Sequence, residues 1–401
     1  MEPFDPVLAG ASINVAGARA SWPRVASEVG RLRSVLVHRP GDELRAVDRA
    51  SAARMLFSSP VDVDAAQAEH HEFVSTLRAW GVDVLYAEDL LAEIAARDGG
   101  RRALLEFAIS CTPASVRRRL ALLAPRQIAR ALIGGVHADE LALSAPPDRG
   151  DQLLSPLPNL MFMRDPSAWI GGGVVLGAMA TGVRARETSL MDALYRLHPR
   201  FAAAPRWTDT LPVQTRVEGG DVLVVSEERV MVGISPRTSA AGAHQLATAL
   251  LSRGVAREVL TVTLPRAAGI HLDLVLAMVD RHTFAVWAPA RDALRSHCWR
   301  ATTNGVAVRA VRDPFSWLSA SCRVIPIGSR ERERHGRGWD HGLNVLALEP
   351  GVVVAYADNQ RANEQLAAGG VAVVPVSGSA LAHGRGGPRC LSCPLHRDGF
   401  A

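Results

Sequence analysis

Cys390 is set up as a nucleophile by its neighbours. It follows Gly384-Arg385-Gly386-Gly387-Pro388-Arg389, a loop that reads as flexible and carries two guanidiniums. Free cysteine titrates near ~8.5, and adjacent positive charge favours the thiolate, the form that attacks carbon. Cys393 opens two rival readings, a redox pair with Cys390 or half of a zinc site. Against zinc, Cys111, Cys298 and Cys322 lie far along the chain, none forms a second Cys-x-x-Cys, and His396 alone is insufficient. Against redox chemistry, the pair sits in a glycine-rich terminal loop, not at a strand-to-helix start. Nucleophile is the first reading, redox pair the second and zinc the third.

Four other segments are denser in polar residues than their apolar surroundings explain. They hold Asp165 (PNLMFMRDP), Glu218 (VEGGD), Arg237 (SPRTS), and the pair His271 and Asp273 (IHLD). Each has a plain structural explanation. Asp165 before Pro166 opens a turn, and Glu218 before two glycines makes a hairpin loop. His271 and Asp273 alternate across Leu272 as on a strand, so both point to one face, which is the solvent side if the pair does nothing else. Taken together with the thiol, they suit one kind of substrate. Asp165 and Asp273 repel anions and fit a planar cation with N–H donors, which is what a guanidinium is. Its carbon is a poor electrophile, so attack needs a strong nucleophile, a proton donor for the departing nitrogen, and anions that fix the plane.

The elements that must hold these groups recur along the chain. An amphipathic helix, then Gly-Val, then a β-branched run appears in Phe73–Tyr86, in Ala243–Val262 and in Asn363–Val376. The glycine falls where a helix end needs a left-handed residue. The last two units are each preceded by a strand and a polar, arginine-bearing turn, so the repeat reads as β-β-α-β. Between Ala87 and Ala145 the pattern changes to helical spacing with arginines on the outer faces, an inserted region of about four helices. Residues 1–24 read as a loose tail, 25–86 and 150–401 as the catalytic body, and 87–149 as the insertion.

Composition narrows the function further. All 45 basic residues are arginine, which removes P-loop, Schiff-base and other lysine chemistry. A charge of +5 scattered over 401 residues is no nucleic-acid footprint. No apolar run spans a membrane, the N-terminus is no secretory signal, and five cysteines in no pairing pattern suit a cytoplasmic protein.

The segments PNLMFMRDPSAWI, VEGGDVLV, HLD, WDHGLN and GRGGPRCLSCP, in this order, resemble the bacterial arginine deiminase family of guanidino-modifying enzymes. The resemblance runs from about Val25 to the end. It implies an α/β fold, a five-module ββαβ propeller with an inserted helical domain, no metal and no cofactor. It implies hydrolysis of L-arginine to L-citrulline and ammonia through a covalent thiouronium on Cys390, with His271 as acid and then base, and Glu218 orienting it. Asp165 and Asp273 would grip the guanidinium. Asn159, Arg184 and Arg237 would bind the α-carboxylate, Phe162 would pack on the substrate stem, and Arg385 would sit on a mobile loop. A homo-oligomer is implied as well. Two departures stand out: Ser58-Ser59 where the family usually has paired acids, and His341 in place of an acid. They keep open another guanidino substrate, an amidinotransferase, or a weakly catalytic homologue with a binding role.

Overall fold

The computed structural model describes residues 23–142, 151–209, 215–266, 268–303, 305–318, 321–328 and 342–399. Its repeating unit is an antiparallel strand pair followed by a third strand that returns parallel to the second. Val222–Ser226 pairs with Arg229–Ile234, helix Ala240–Ser252 crosses over, and Glu258–Thr263 lies parallel to Arg229–Ile234. Leu346–Glu349, Val352–Tyr356, helix Gln360–Ala368 and Ala372–Val376 repeat this order. Leu276–Asp280, Thr283–Trp287 and Arg323–Ile327 have the same strand pairing. There a long hairpin, Arg295–Thr302 with Gly305–Val311, extends the neighbouring sheet. Ala168–Ile170 and Gly173–Val175 form a shorter pair, followed by helix Ala185–Leu197 and a single parallel bridge from Val174 to Arg206.

The first unit is assembled from both ends of the chain. The last strand, Cys393–Arg397, lies between Arg24–Val25 and Leu32–Val37, and helix Val63–Ala79 leads to Asp83–Tyr86 on the outer side. Most of the paired strands are apolar and buried on both faces, as expected for a layer enclosed between helices and a centre.

The helix-Gly-Val-strand reading matches the backbone at all three places. Gly81, Gly254 and Gly370 have φ of +76°, +66° and +82°, the left-handed exit that ends each helix. Four helices, Ala87–Ala96, Gly100–Ala108, Ala114–Leu120 and Pro125–Gly134, follow Tyr86. Their apolar faces share one core with helix Ala185–Leu197 and the strands around it. Residues 1–22 of the expected tail, and His341, lie outside the described residues.

Candidate active site

The polar segments occupy equivalent places in the fold. Asp165, Glu218, Asp273, Asn344 and Cys390 each sit a few residues ahead of the first strand of a pair: Ala168, Val222, Leu276, Leu346 and Cys393. Repetition of the unit therefore carries five polar side chains of four kinds to one place. The cleft there has about 420 Å³ of empty space including its mouth. Its lining includes Asn159, Phe162, Asp165, Arg184, Arg237, His271, Arg385 and Cys390, with Leu56, Ile270 and Leu274 as apolar walls.

On one side stands a histidine held by carboxylates. Glu218 Oε2 lies 2.8 Å from His271 Nε2, and Asp165 Oδ1 lies 3.7 Å from Nδ1. The Glu-Gly-Gly sequence makes that approach possible. A Cβ on Gly219 would sit 2.0 Å from the Arg164 carbonyl oxygen, and one on Gly220 would sit 2.6 Å from the His271 ring. Burial opposes charge on His271, but Asp165, Glu218 and Asp221 outweigh it and lift the imidazole to about 9. Burial likewise opposes charge on Glu218, yet its hydrogen bond to His271 and nearby arginines bring it down to about 2. Asp221 fixes the backbone here: its Oδ1 accepts from the Leu272 amide at 2.8 Å and its Oδ2 from the Ser235 hydroxyl at 2.6 Å.

On the other side stands the thiol. The Asn344 amide oxygen accepts from the Cys390 and Gly387 backbone N–H groups at 2.9 and 3.0 Å, fixing the turn that presents the sulfur. Cys390 Sγ lies 3.7 Å from Asp273 Oδ2.

The two aspartates are held alike. Arg184 donates to Asp165 Oδ2 at 2.5 Å and to both oxygens of Glu187. Arg389 donates to Asp273 Oδ2 at 2.7 Å, to Glu28 Oε1 at 2.8 Å and to the Val222 carbonyl at 2.8 Å. In each aspartate Oδ1 is buried and has no hydrogen-bond partner among the described residues. Each is an acceptor left over for a ligand's N–H.

Three expectations are corrected. His271 and Asp273 are not on a strand: Leu272–Leu274 is a 3₁₀ turn, and both polar residues are buried with the leucines. Cys390 is not biased towards thiolate in this state. Burial pushes the thiol well above its ordinary value and Asp273 and Asp165 add to the push, with Arg389 and Asn344 only partly opposing them. The charge of Arg389 is already committed to Glu28 and Asp273. The glycine-rich loop is also packed, not loose. A Cβ on Gly384 or Gly386 would strike the Phe162 ring at 2.7 or 2.4 Å, so these glycines serve close approach.

The remaining expected residues gather at the same cleft. Asn159 Nδ2 donates to the Met55 carbonyl at 2.9 Å. Arg237 reaches Glu218 at 3.4 Å. Arg385, left-handed at φ +70°, donates to the Phe57 carbonyl at 3.3 Å. Ser58 and Ser59 meet His383 Nδ1 at 3.3 and 2.9 Å, on the rim and not in the cleft lining. Sequence reasoning passed over Asn344, Asp221, Glu187 and Glu28, and took Arg389 only for a charge beside Cys390. Asn344 and Asp221 lay inside quoted motifs, whereas Glu28 gave no local signal. Asp165, Glu218 and His271 are close enough to share a metal ion. However, both nitrogens of His271 face carboxylates that favour its proton, which a metal ion would have to displace.

The fold is shared with guanidino-modifying enzymes. A mutant DDAH from Pseudomonas aeruginosa complexed with citrulline superposes with a TM-score of 0.53 at 17% identity, covering 90% of this chain and 99% of that one. An amidinotransferase from Microseira wollei gives 0.53 at 14% identity, covering 94% and 98%. Sequence carries the assignment further. The profile of the family described as arginine deiminase matches residues 53–125 and 136–397. The arginine deiminase of Rhodococcus erythropolis is 40% identical over 405 residues, 93% of this chain and 97% of its own. That of Mycobacterium avium is 39% identical over 400 residues, 93% and 97%. The chain belongs to the arginine deiminase family, and so to the hydrolases that cut a guanidinium carbon–nitrogen bond. No helix among the described residues is long and apolar enough to cross a membrane.

Proposed function

We propose that the protein hydrolyses L-arginine to L-citrulline and ammonia through a thiouronium intermediate on Cys390. One observation carries this reading. A buried thiol and two aspartates whose Oδ1 atoms have no hydrogen-bond partner among the described residues converge near a histidine held between carboxylates.

A guanidinium entering beside Asp165 and Asp273 supplies the positive charge that the free site withholds from the sulfur. The thiol then sheds its proton to solvent as substrate binds. The thiolate forms a bond to the guanidinium carbon, and the C=N π pair moves onto nitrogen. His271 gives its proton to one amino group, the carbon–nitrogen bond breaks, and ammonia leaves a thiouronium behind. His271, now neutral, takes a proton from water while the hydroxide adds to the same carbon. Collapse expels the sulfur with its electron pair and releases the hydroxyl proton, leaving the urea carbonyl of citrulline. Glu218 holds the imidazole aligned through both steps, and Phe162 packs on the substrate stem. Arg184 is already bound to two carboxylates, whereas Arg237 is held by Glu218 at 3.4 Å. Arg237 is therefore the stronger partner for the α-carboxylate, with Arg184 and Asn159 beside it and Arg385 closing the mouth.

The same reading extends to architecture and setting. The repeated units close as a five-module propeller over residues 25–86 and 150–401, with residues 87–149 inserted. The enzyme works as a cytoplasmic homo-oligomer without a cofactor.

A citrulline and ammonia assay over a panel of arginine, agmatine and other guanidino compounds tests the reading, with Cys390→Ala as control. Arginine is expected to be turned over and agmatine poorly, since agmatine would leave the arginines unanswered. Absence of citrulline from arginine, or full activity in Cys390→Ala, would sink the assignment.

A further inference from the structure

We infer that Arg389, braced by Glu28, is a positioning residue for the guanidinium grip: it occupies Asp273 Oδ2 and so reserves Oδ1 for the substrate. This rests on the functional reading above, in which Asp273 contacts the substrate. Arg389 is 2% exposed, and its three nitrogens each have a partner on a different element: Glu28, Asp273 and the Val222 carbonyl. Asp273 Oδ2, the oxygen Arg389 takes, is also the one 3.7 Å from the sulfur. Arg184 does the same for Asp165 Oδ2, with Glu187 in the bracing place. The two halves of the grip thus have one design, a buried Glu–Arg–Asp chain that leaves a single acceptor open. Burying three ionised groups in a row adds little stability over apolar packing, so the chain's use lies in aim. The planar fork sets its donors at fixed separations towards three acceptors, whereas a lysine ammonium donates from one point and cannot hold the same geometry.

Two alkylating probes separate aim from mere packing. Chloroacetamidine carries a planar cation, and iodoacetamide is neutral. In both, the sulfur forms a bond to the methylene carbon, halide leaves with the bonding pair, and the thiol proton goes to solvent. The ratio of their rates on Cys390 reports the grip, needs no turnover, and is read by mass spectrometry of the Cys390 peptide. In Arg389→Lys the ratio is expected to fall about tenfold, the loss of one charge-assisted contact. With it, kcat/KM for arginine should fall about a hundredfold. Glu28→Gln, isosteric, should give a smaller fall in the same ratio. An unchanged ratio in a variant that melts cooperatively overturns the inference. If neither variant folds, the chain is structural and the inference falls too. A wild-type protein that turns over no arginine but keeps a high ratio would defeat the functional reading alone.

Discussion

Arginine supplies all the basic side chains of this chain, and two regions use it in opposite ways. On the inserted helices Arg102, Arg126 and Arg130 are 85%, 61% and 68% exposed and pair with Glu106, Asp89 and Glu88 across open helix faces. Around the cleft Arg184 and Arg389 are 3% and 2% exposed and sit inside carboxylate chains. The first group stays solvated, so its ion pairs are screened and nearly interchangeable. The second has lost its water and must have its partners. Burial alone therefore predicts that the same residue is dispensable in one region and indispensable in the other.

The largest expected effect breaks a buried chain. Arg184→Met leaves Asp165 and Glu187 without the guanidinium that joins them, while His271 stays near Asp165. Removing one member of a buried ion pair costs about 3–5 kcal/mol. Glu187, already lifted to about 7 by burial against the pull of Arg184, relieves part of that cost by taking a proton. Urea denaturation at pH 8 should show a larger loss than at pH 6, and arginine turnover should be lost at both. A variant as stable as the parent at pH 8 would mean that the chain carries no net electrostatic load.

A smaller effect lies in pH. Glu218, held at about 2 against an ordinary 4.5, adds stability above pH 4.5 that is lost as pH falls through about 2. His271, held at about 9 against 6.5, adds stability below pH 6.5 that is lost as pH rises through about 9. Both contributions are therefore full only between about 4.5 and 6.5. The falling limb of kcat/KM should lie near 9, where His271 in the free enzyme ceases to be an acid. In Glu218→Gln that limb should move towards 6.5, since one of the groups raising His271 is gone. A limb that stays in place would detach it from this histidine.

How far the sequence revealed this site depends on how local the information was. The helix-Gly-Val-strand units were legible because a left-handed exit is a property of three or four adjacent residues. The motif residues were legible as a set, because a thiol, a histidine and aspartates define one substrate chemistry. The environment of Cys390 was not. Arg389 is its neighbour in sequence, yet what that arginine does is decided by Glu28, 361 residues away. Alternation across three residues also cannot separate a strand from a 3₁₀ turn when both faces are buried, which is why His271 and Asp273 were misread. The loop glycines suggested looseness because the Phe162 ring that fills their Cβ space comes from another segment.

Cys393 tests the boundary between these regimes. It is buried at the start of the last strand, with its sulfur 3.6 Å from the Ser167 carbonyl, and burial raises its thiol. A serine there keeps a donor towards the Ser167 carbonyl and is only slightly smaller, so Cys393→Ser should retain most activity in the citrulline assay. Collapse of activity in a folded variant would revive the redox pair with Cys390.

The smallest effect belongs to the exposed arginines. Arg102 donates to Glu106 at 2.9 Å one helical turn away, and Arg130 donates to Glu88 at 3.0 Å. In water such pairs gain little, because both charges are already solvated and holding two long side chains together costs rotamer freedom. Arg102→Ala and Arg130→Ala should leave melting midpoint, KM and kcat unchanged, at low salt as well as high. Kinetic change in either, with melting unaltered, would mean that the inserted helices communicate with the cleft. The contrast between solvated and buried arginine would then no longer follow burial alone.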